Sequence, residues 1–200
     1  VTTFLLVRHA THDLVGKALA GRLPGVSINA VGVGEAAELA TRLADARLSG
    51  IYSSPQPRAR ETARPLAARL GLGVEIEEGF DEIDFGQWTG RAFTALADDA
   101  TWPVWVERRS LAQPPGGERF ADVQRRAVAA IDRLRRAHPD KVIALVSHGD
   151  VIKATLAHVL GLSLDHLERF DIAPASVSVI AAGDGWAQVK LINGRGAVVA

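Results

Sequence analysis

The apolar run Phe4-Leu5-Leu6-Val7 ends abruptly on Arg8-His9. A short run that is apolar at every position predicts a strand buried on both faces, here with charge at its C-terminal end. Residues 10 to 31 carry the turn formers Gly16, Gly21, Pro24, Gly25 and Asn29, which predict a loop over that strand end. From Gly34 to Arg47 the residues Ala37, Leu39 and Leu43, with Leu48 just beyond, recur near helical spacing. Gly50-Ile51-Tyr52-Ser53-Ser54-Pro55 predicts a second strand running into a turn, and Arg58 to Leu70 a helix closed by Gly71. Val74-Glu75-Ile76-Glu77 alternates as a third strand. A turn-rich stretch holding Glu82 and Gly86 follows, then a short helix from about Thr89. Pro114-Pro115-Gly116-Gly117 breaks the chain before a long helix from about Arg119 to Ala137, which Pro139 closes. Val142-Ile143-Ala144-Leu145-Val146 is the strongest strand signal; it ends at Ser147-His148-Gly149, with a helix from about Asp150. Ser176 to Ile180 and Gln188 to Ile192, joined through Gly183-Asp184-Gly185, predict a closing hairpin.

Strands that alternate with helices predict an α/β domain with a largely parallel sheet. No repeat or linker divides the chain, so the expectation is one domain over residues 1–200. There is no cysteine, which excludes a disulfide framework, a thiolate metal site and a cysteine nucleophile. It also fits a reducing compartment, and a cytoplasmic protein is expected. Acidic and basic residues balance at 23 each, so no net field draws the chain to nucleic acid or to a membrane surface. No apolar run approaches the length of a membrane span. Nothing in the sequence sets the oligomeric state.

Two segments share one design. Val7-Arg8-His9 and Val146-Ser147-His148-Gly149 each deliver a histidine just past the C-terminal end of a buried strand, where open α/β sheets place their ligand crevice. Arg8 adds a planar cation whose fork matches a phosphate. Ser53-Ser54-Pro55-Gln56-Pro57-Arg58 places a second arginine at a strand–turn–helix corner. The helix that opens after His148-Gly149 offers free amides to an anion. Such a site suits phosphoryl transfer. No P-loop glycine–lysine signature and no carboxylate cluster for magnesium accompany it. That leaves an imidazole as the nucleophile, kept neutral by the flanking guanidinium groups. A leaving alkoxide needs a proton. Glu82 in Phe80-Asp81-Glu82-Ile83-Asp84-Phe85-Gly86 is a candidate acid, with Asp81 and Asp84 as competitors that spacing does not separate.

Together these segments resemble the histidine phosphatase superfamily, also called the phosphoglycerate mutase-like fold, from Leu5 to about Gly161, and the resemblance implies a three-layer α/β fold with a mixed, mostly parallel sheet flanked by helices. Leu6-Val7-Arg8-His9 is similar to its LVRHG signature. Ile51 to Pro55 with Arg58-Ala59 and Glu61-Thr62-Ala63 is similar to its SSPLxRAxQTA segment. Glu82 to Gly86 with Trp88-Thr89-Gly90, Gly117-Glu118 with Phe120, and Val146 to Gly149 resemble ExDFGxWEG, GGESF and VSHG. The resemblance implies His9 as the phosphorylated nucleophile, and Arg8, Arg58, His148 and Gly149 around the phosphate. It implies Glu82 as general acid and then base. It implies no metal and no cofactor, with a bisphosphate primer needed only by a mutase.

The sequence departs from the family pattern at Ala10, where glycine is usual, at His12, where serine or threonine is common, and at Val15, where the mutases have asparagine. The segment from Trp88 to Gly117 is short beside the mutases' lid. A phosphatase acting on a small phosphorylated metabolite is therefore expected, with a phosphomutase as the alternative and a catalytically silent binding domain as a third reading. Arg108-Arg109-Ser110 faintly resembles the mutases' substrate stretch, against a plain reading as a solvated basic turn. His12, Arg22, Arg108 and Arg109 are the candidates for the substrate lip. Trp88, Trp102 and Trp105 could wall the site, although aromatic residues at such spacing more often belong to the core.

Overall fold

The computed structural model describes residues 1–197. Its strands are β1 (Thr2–Arg8), β2 (Gly50–Ser53), β3 (Val74–Ile76), β4 (Val142–Ser147), β5 (Val177–Gly183) and β6 (Trp186–Gly194). Its helices are α1 (Ala30–Arg42), α2 (Pro57–Leu70), α3 (Phe93–Leu96), α4 (Trp102–Glu107), α5 (Phe120–Ala137) and α6 (Gly149–Leu160), with three short 3-10 segments. The sheet order is β3-β2-β4-β1-β5-β6. β1 to β4 run parallel, whereas β5 joins β1 antiparallel and β6 closes the hairpin. The expected mixed, mostly parallel sheet flanked by helices is what forms.

Alternation along the strands sorts the two faces. Leu5 and Val7 of β1, with Ala144 and Val146 of β4, pack against Leu39 and Leu43 near α1 and Ala63 and Leu66 of α2. Phe4 and Leu6, with Ile143 and Leu145, pack on the opposite face against Val123 and Ala127 of α5 and Ile152 and Leu156 of α6. Each large apolar side chain enclosed in this way contributes roughly 1.5–3 kcal/mol. Both faces of β1 and β4 are covered, which is why their sequences are apolar throughout rather than alternating.

Several boundaries differ from the sequence expectation. α1 starts at Ala30, with Asn29 as a cap accepting from the Gly32 amide at 3.0 Å, and ends at Arg42. Gly32 and Gly34 in its first turns concealed that start. Its buried stripe is Gly32, Ala36, Leu39 and Ala40, and Ala37 faces solvent. The helix expected from Thr89 begins at Phe93, because Gly90 at φ 81° interrupts the chain. The hairpin strands are longer than expected, and neither α4 nor the 3-10 segment Leu164–Arg169 was anticipated. Trp88 and Trp105 are fully enclosed, and Trp105 packs edge-on against Phe85 and at a tilt against Phe120. They therefore support the acid-bearing loop from beneath and do not line the cavity.

Candidate active site

β2, β4 and β1 are neighbours in the sheet, so their C-terminal ends bring Ser53-Ser54, Ser147-His148 and Arg8-His9 to one edge. β5 runs the other way, so the chain entering it arrives at the same edge. There the Ile172 carbonyl accepts from Arg8 Nη1 at 2.6 Å. The His9 amide donates to the Ser147 carbonyl at 2.8 Å, which ties the two histidine-bearing turns together. A cavity of about 210 Å³ opens at this edge, lined among others by Arg8, His9, His12, Glu82, Gly149 and Lys153.

His9 is 3% exposed, and its ring stands 5.2 Å from that of His148 and 5.0 Å from that of His12. Its Nδ1 lies 2.8 Å from the Ala10 carbonyl, which only accepts, so Nδ1 carries the proton and Nε2 keeps a free lone pair. Burial, then the charges of Arg58 and Arg8, push the His9 pKa well below the ordinary histidine value. The ring is neutral at physiological pH. Ala10 does not narrow the site: its methyl packs with Ala36 and Ala175, and its amide donates to Thr62 Oγ1.

Arg58 is wholly buried at the start of α2. Its Nη2 donates to the Gly21 carbonyl at 2.8 Å and reaches His148 Nδ1 at 3.2 Å and Glu82 Oε2 at 3.5 Å. Its Nε and Nη1, and Nε of Arg8, are buried donors with no protein partner. Orphaned charged donors of this kind are costly unless a ligand satisfies them. Gly149 opens α6 against the Arg8 guanidinium, where an added Cβ would stand 3.4 Å from Arg8 Nε.

The three acidic residues of the loop separate by their contacts. Asp84 accepts from the Gly86 amide at 2.9 Å and shapes the turn. Asp81 turns inward and accepts from Ser54 Oγ, Gln56 Nε2 and the Glu82 amide. Only Glu82 of the three lines the cavity. Its Oε1 accepts from the Ile83 amide, and its Oε2 faces Arg58 and His148 Nδ1, the latter at 3.3 Å. Burial raises its pKa to about 7, against the opposing pull of Arg58.

The substrate-lip candidates fare unevenly. His12 lines the cavity; its Nδ1 accepts from the Leu14 amide, and burial with the nearby arginines lowers its pKa to about 4. Arg22 does not line it, a correction to the sequence reading. It pairs with Asp81 and Glu118 and donates to the Glu82 carbonyl, so it holds the acid loop from behind. Arg108 is exposed and away from the cavity, as a basic turn residue would be. Arg109 is also outside it, pairing with Asp150 at 3.1 Å and lying over Phe120. Sequence reasoning missed Lys153, Asp150 and Asp171 at the lip and the apolar wall of Leu14, Leu19 and Phe93, although Val15 was noted. Lys153 had a readable signal: it lies four residues after Gly149, one helical turn along the same face. Asp171, in a loop before β5, had none. Glu118 was seen as a motif residue without a role; it receives the Asp84 amide, Arg22 and Arg126 and pins the acid loop to α5.

Among the described residues, no helix is long and apolar enough to cross a membrane. Comparison with known proteins places this geometry. A family model of the histidine phosphatase superfamily, branch 1, matches residues 4–195. The bifunctional protein Rv2228c of Mycobacterium tuberculosis is 33% identical over 98% of this chain and 54% of its own length. The chain thus spans about half of that relative. Phosphoserine phosphatase 1 of Hydrogenobacter thermophilus is 31% identical, over 88% of this chain and 84% of its own. The structure of Bacillus stearothermophilus YhfR superposes with a TM-score of 0.91 at 29% identity, covering 99% of this chain and 98% of that one. The chain belongs to the histidine phosphatase superfamily, branch 1, and has its phosphoglycerate mutase-like fold.

Proposed function

We propose that the protein is a metal-independent phosphomonoesterase that hydrolyses a small phosphorylated metabolite through a phosphohistidine on His9. One observation carries the reading: buried guanidinium nitrogens of Arg8 and Arg58 stand without partners around a neutral histidine whose Nε2 is free. The similarity to a phosphoserine phosphatase supports the reaction class.

In the first step the Nε2 lone pair of His9 attacks phosphorus, and the bond from phosphorus to the alcohol oxygen breaks in line. Arg8, Arg58 and the first amides of α6 meet the charge on the equatorial oxygens. Glu82, whose pKa is raised by burial to about 7, gives its proton to the departing alkoxide. In the second step the Glu82 carboxylate takes a proton from water as the water oxygen bonds to phosphorus; the phosphorus–Nε2 bond breaks, its electron pair returns to His9, and inorganic phosphate leaves. The guanidinium groups supply the charge that a metal ion provides in other phosphoryl-transfer enzymes, so no cofactor enters the scheme. The alcohol would lie against Leu14, Leu19 and Phe93, with Lys153, Asp150 and Asp171 as the charged groups it meets.

The test is a panel of small phosphomonoesters run beside a 3-phosphoglycerate mutase assay, with and without a bisphosphate primer. Phosphate release faster than isomerisation is the expected result. Isomerisation faster than release would replace hydrolase by mutase, and neither activity would leave the silent binding domain.

A further inference from the structure

His148 is wholly buried behind Glu82, and its two nitrogens meet different partners. Nδ1 faces Arg58 Nη2 at 3.2 Å and Glu82 Oε2 at 3.3 Å. Nε2 lies 2.8 Å from Ser54 Oγ. Distance alone leaves the ring proton on either nitrogen. The bonding capacity of Ser54 removes the choice.

A serine hydroxyl has one hydrogen to give and two lone pairs to fill. Ser54 Oγ stands 3.1 Å from Asp81 Oδ1, and Asp81 is an acceptor when ionised. The same Asp81 carboxylate receives the Glu82 amide at 2.7 Å and Gln56 Nε2 at 2.8 Å, and pairs with Arg22 Nε at 3.1 Å. Three donors besides Ser54 thus face this carboxylate, one of them the Arg22 guanidinium, and Asp81 stands among them as the acceptor. The Ser54 hydrogen therefore goes to Asp81. Ser54 Oγ also accepts from the Gln56 amide at 3.3 Å, which leaves one lone pair. His148 Nε2 fills that lone pair only as a donor. Its proton sits on Nε2, and Nδ1 is bare.

A bare Nδ1 has no hydrogen to offer the Glu82 carboxylate 3.3 Å away. It offers a lone pair, which a protonated Glu82 or Arg58 fills. Hydrogen bonding to a neutral acid favours the neutral acid, whereas a donor at the same place would favour its anion. We propose that Asp81, acting through Ser54, fixes the proton of His148 on Nε2 and so denies Glu82 a hydrogen-bond donor, holding Glu82 in its acid form. Asp81 and Ser54 are positioning residues in this scheme, and neither lines the cavity. The other charged groups around the Glu82–His148 pair are Arg58, Arg8, Asp150 and Arg126, with the neutral His9 as a further titratable one, and a change at Ser54 leaves all of them in place. The proposal rests on Glu82 as the general acid for its functional consequence, but its structural half is independent of that reading.

Nitrogen-15 NMR of the histidine rings tests the structural half, with the His148 signals assigned by their loss in His148→Gln. In the free wild-type protein His148 should show Nε2–H and a bare Nδ1. Ser54→Ala removes the acceptor, and an Nδ1–H population should appear. Ser54→Thr, which keeps the hydroxyl, should restore the wild-type pattern. In parallel, the alkaline limb of phosphoenzyme formation from an alkyl phosphate should move by about one pH unit to lower pH in Ser54→Ala and return in Ser54→Thr. An Nδ1–H signal in the wild type, or an unchanged tautomer in Ser54→Ala, would overturn the relay. A changed tautomer with an unmoved limb would overturn its effect on Glu82. If no phosphomonoester is turned over, the function proposed above fails while the ring spectra still decide the relay.

Discussion

At the scale of single residues, Glu82 shows how burial converts an ordinary carboxylate into an acid at neutral pH. Its pKa of about 7 predicts that phosphoenzyme formation from an alkyl phosphate slows as pH rises through that value. Glu82→Gln should abolish this limb and slow alkyl esters by ~10²–10³-fold, with a much smaller loss for aryl esters that leave unaided. Equal losses for both ester classes would argue against the role. The same shift has a sign for stability. The folded state holds the Glu82 proton more avidly than the unfolded one, so this contribution is present below pH 4.5 and is lost as pH rises through about 7. Urea unfolding should show that Glu82→Gln is the more favoured, relative to wild type, the higher the pH across that window. A pH-independent difference would contradict the shift. The phosphoryl end of the site was legible residue by residue, because strand ends and helix starts carry it and both leave sequence signals. Spacing did not separate Glu82 from Asp81 and Asp84, because that depends on which way three neighbouring side chains turn; the family resemblance alone chose Glu82. Arg22 was misplaced for a related reason: a loop arginine reads the same whether it faces the cavity or the back of the acid loop.

At the scale of elements, glycine decides where α1 sits. A Cβ on Gly32 would stand 2.2 Å from the Thr11 carbonyl, so the helix start packs directly against the loop that follows β1. Gly34, two residues on, has open space around the same position. Gly34→Ala should stabilise the fold by ~0.5–1 kcal/mol through helix propensity. Gly32→Ala should destabilise it by ~1–3 kcal/mol in spite of the same propensity gain, because backbone has to move. Thermal or urea unfolding of the pair checks this, and shifts of the same sign would contradict the close approach. These glycines also explain why the sequence pattern placed the helix start too late. The acid loop depends on α5 through Glu118, which joins the Asp84 amide, Arg22 and Arg126. Glu118→Ala takes the carboxylate from Arg126, which keeps backbone carbonyls only, and one of two carboxylates from Arg22, and should cost ~1–3 kcal/mol of stability. It should also lower kcat more than it raises KM, since the acid is displaced and the phosphate donors are not. A pure KM effect would contradict that placement.

At the scale of the whole molecule, strand order does the assembling. β4 inserts between β2 and β1, so segments near residues 8, 54, 82 and 148 meet at one edge although the chain separates them widely. The alternation of strands and helices made the layered sheet legible, and the completely apolar β1 and β4 marked its centre. The reversed β5 carried the Ile172 carbonyl to the same edge, and pattern alone did not foresee that contact with Arg8. The small helices between Trp88 and Gly117 were partly concealed, because tertiary packing of Trp88 and Trp105 fixes them more than local periodicity does. In the proposed reaction the charge comes from arginines on separate elements, so exhaustive dialysis against a chelator should leave hydrolysis of an aryl phosphate unchanged. A loss restored by a divalent cation would contradict the metal-free scheme. The central claim is the covalent one. Wild-type protein mixed with an aryl phosphate and quenched in alkali should yield a peptide phosphorylated on His9, with an acid-labile and base-stable linkage, and His9→Ala should yield none. Phosphate on a hydroxyl residue, or labelling that survives in His9→Ala, would contradict the account.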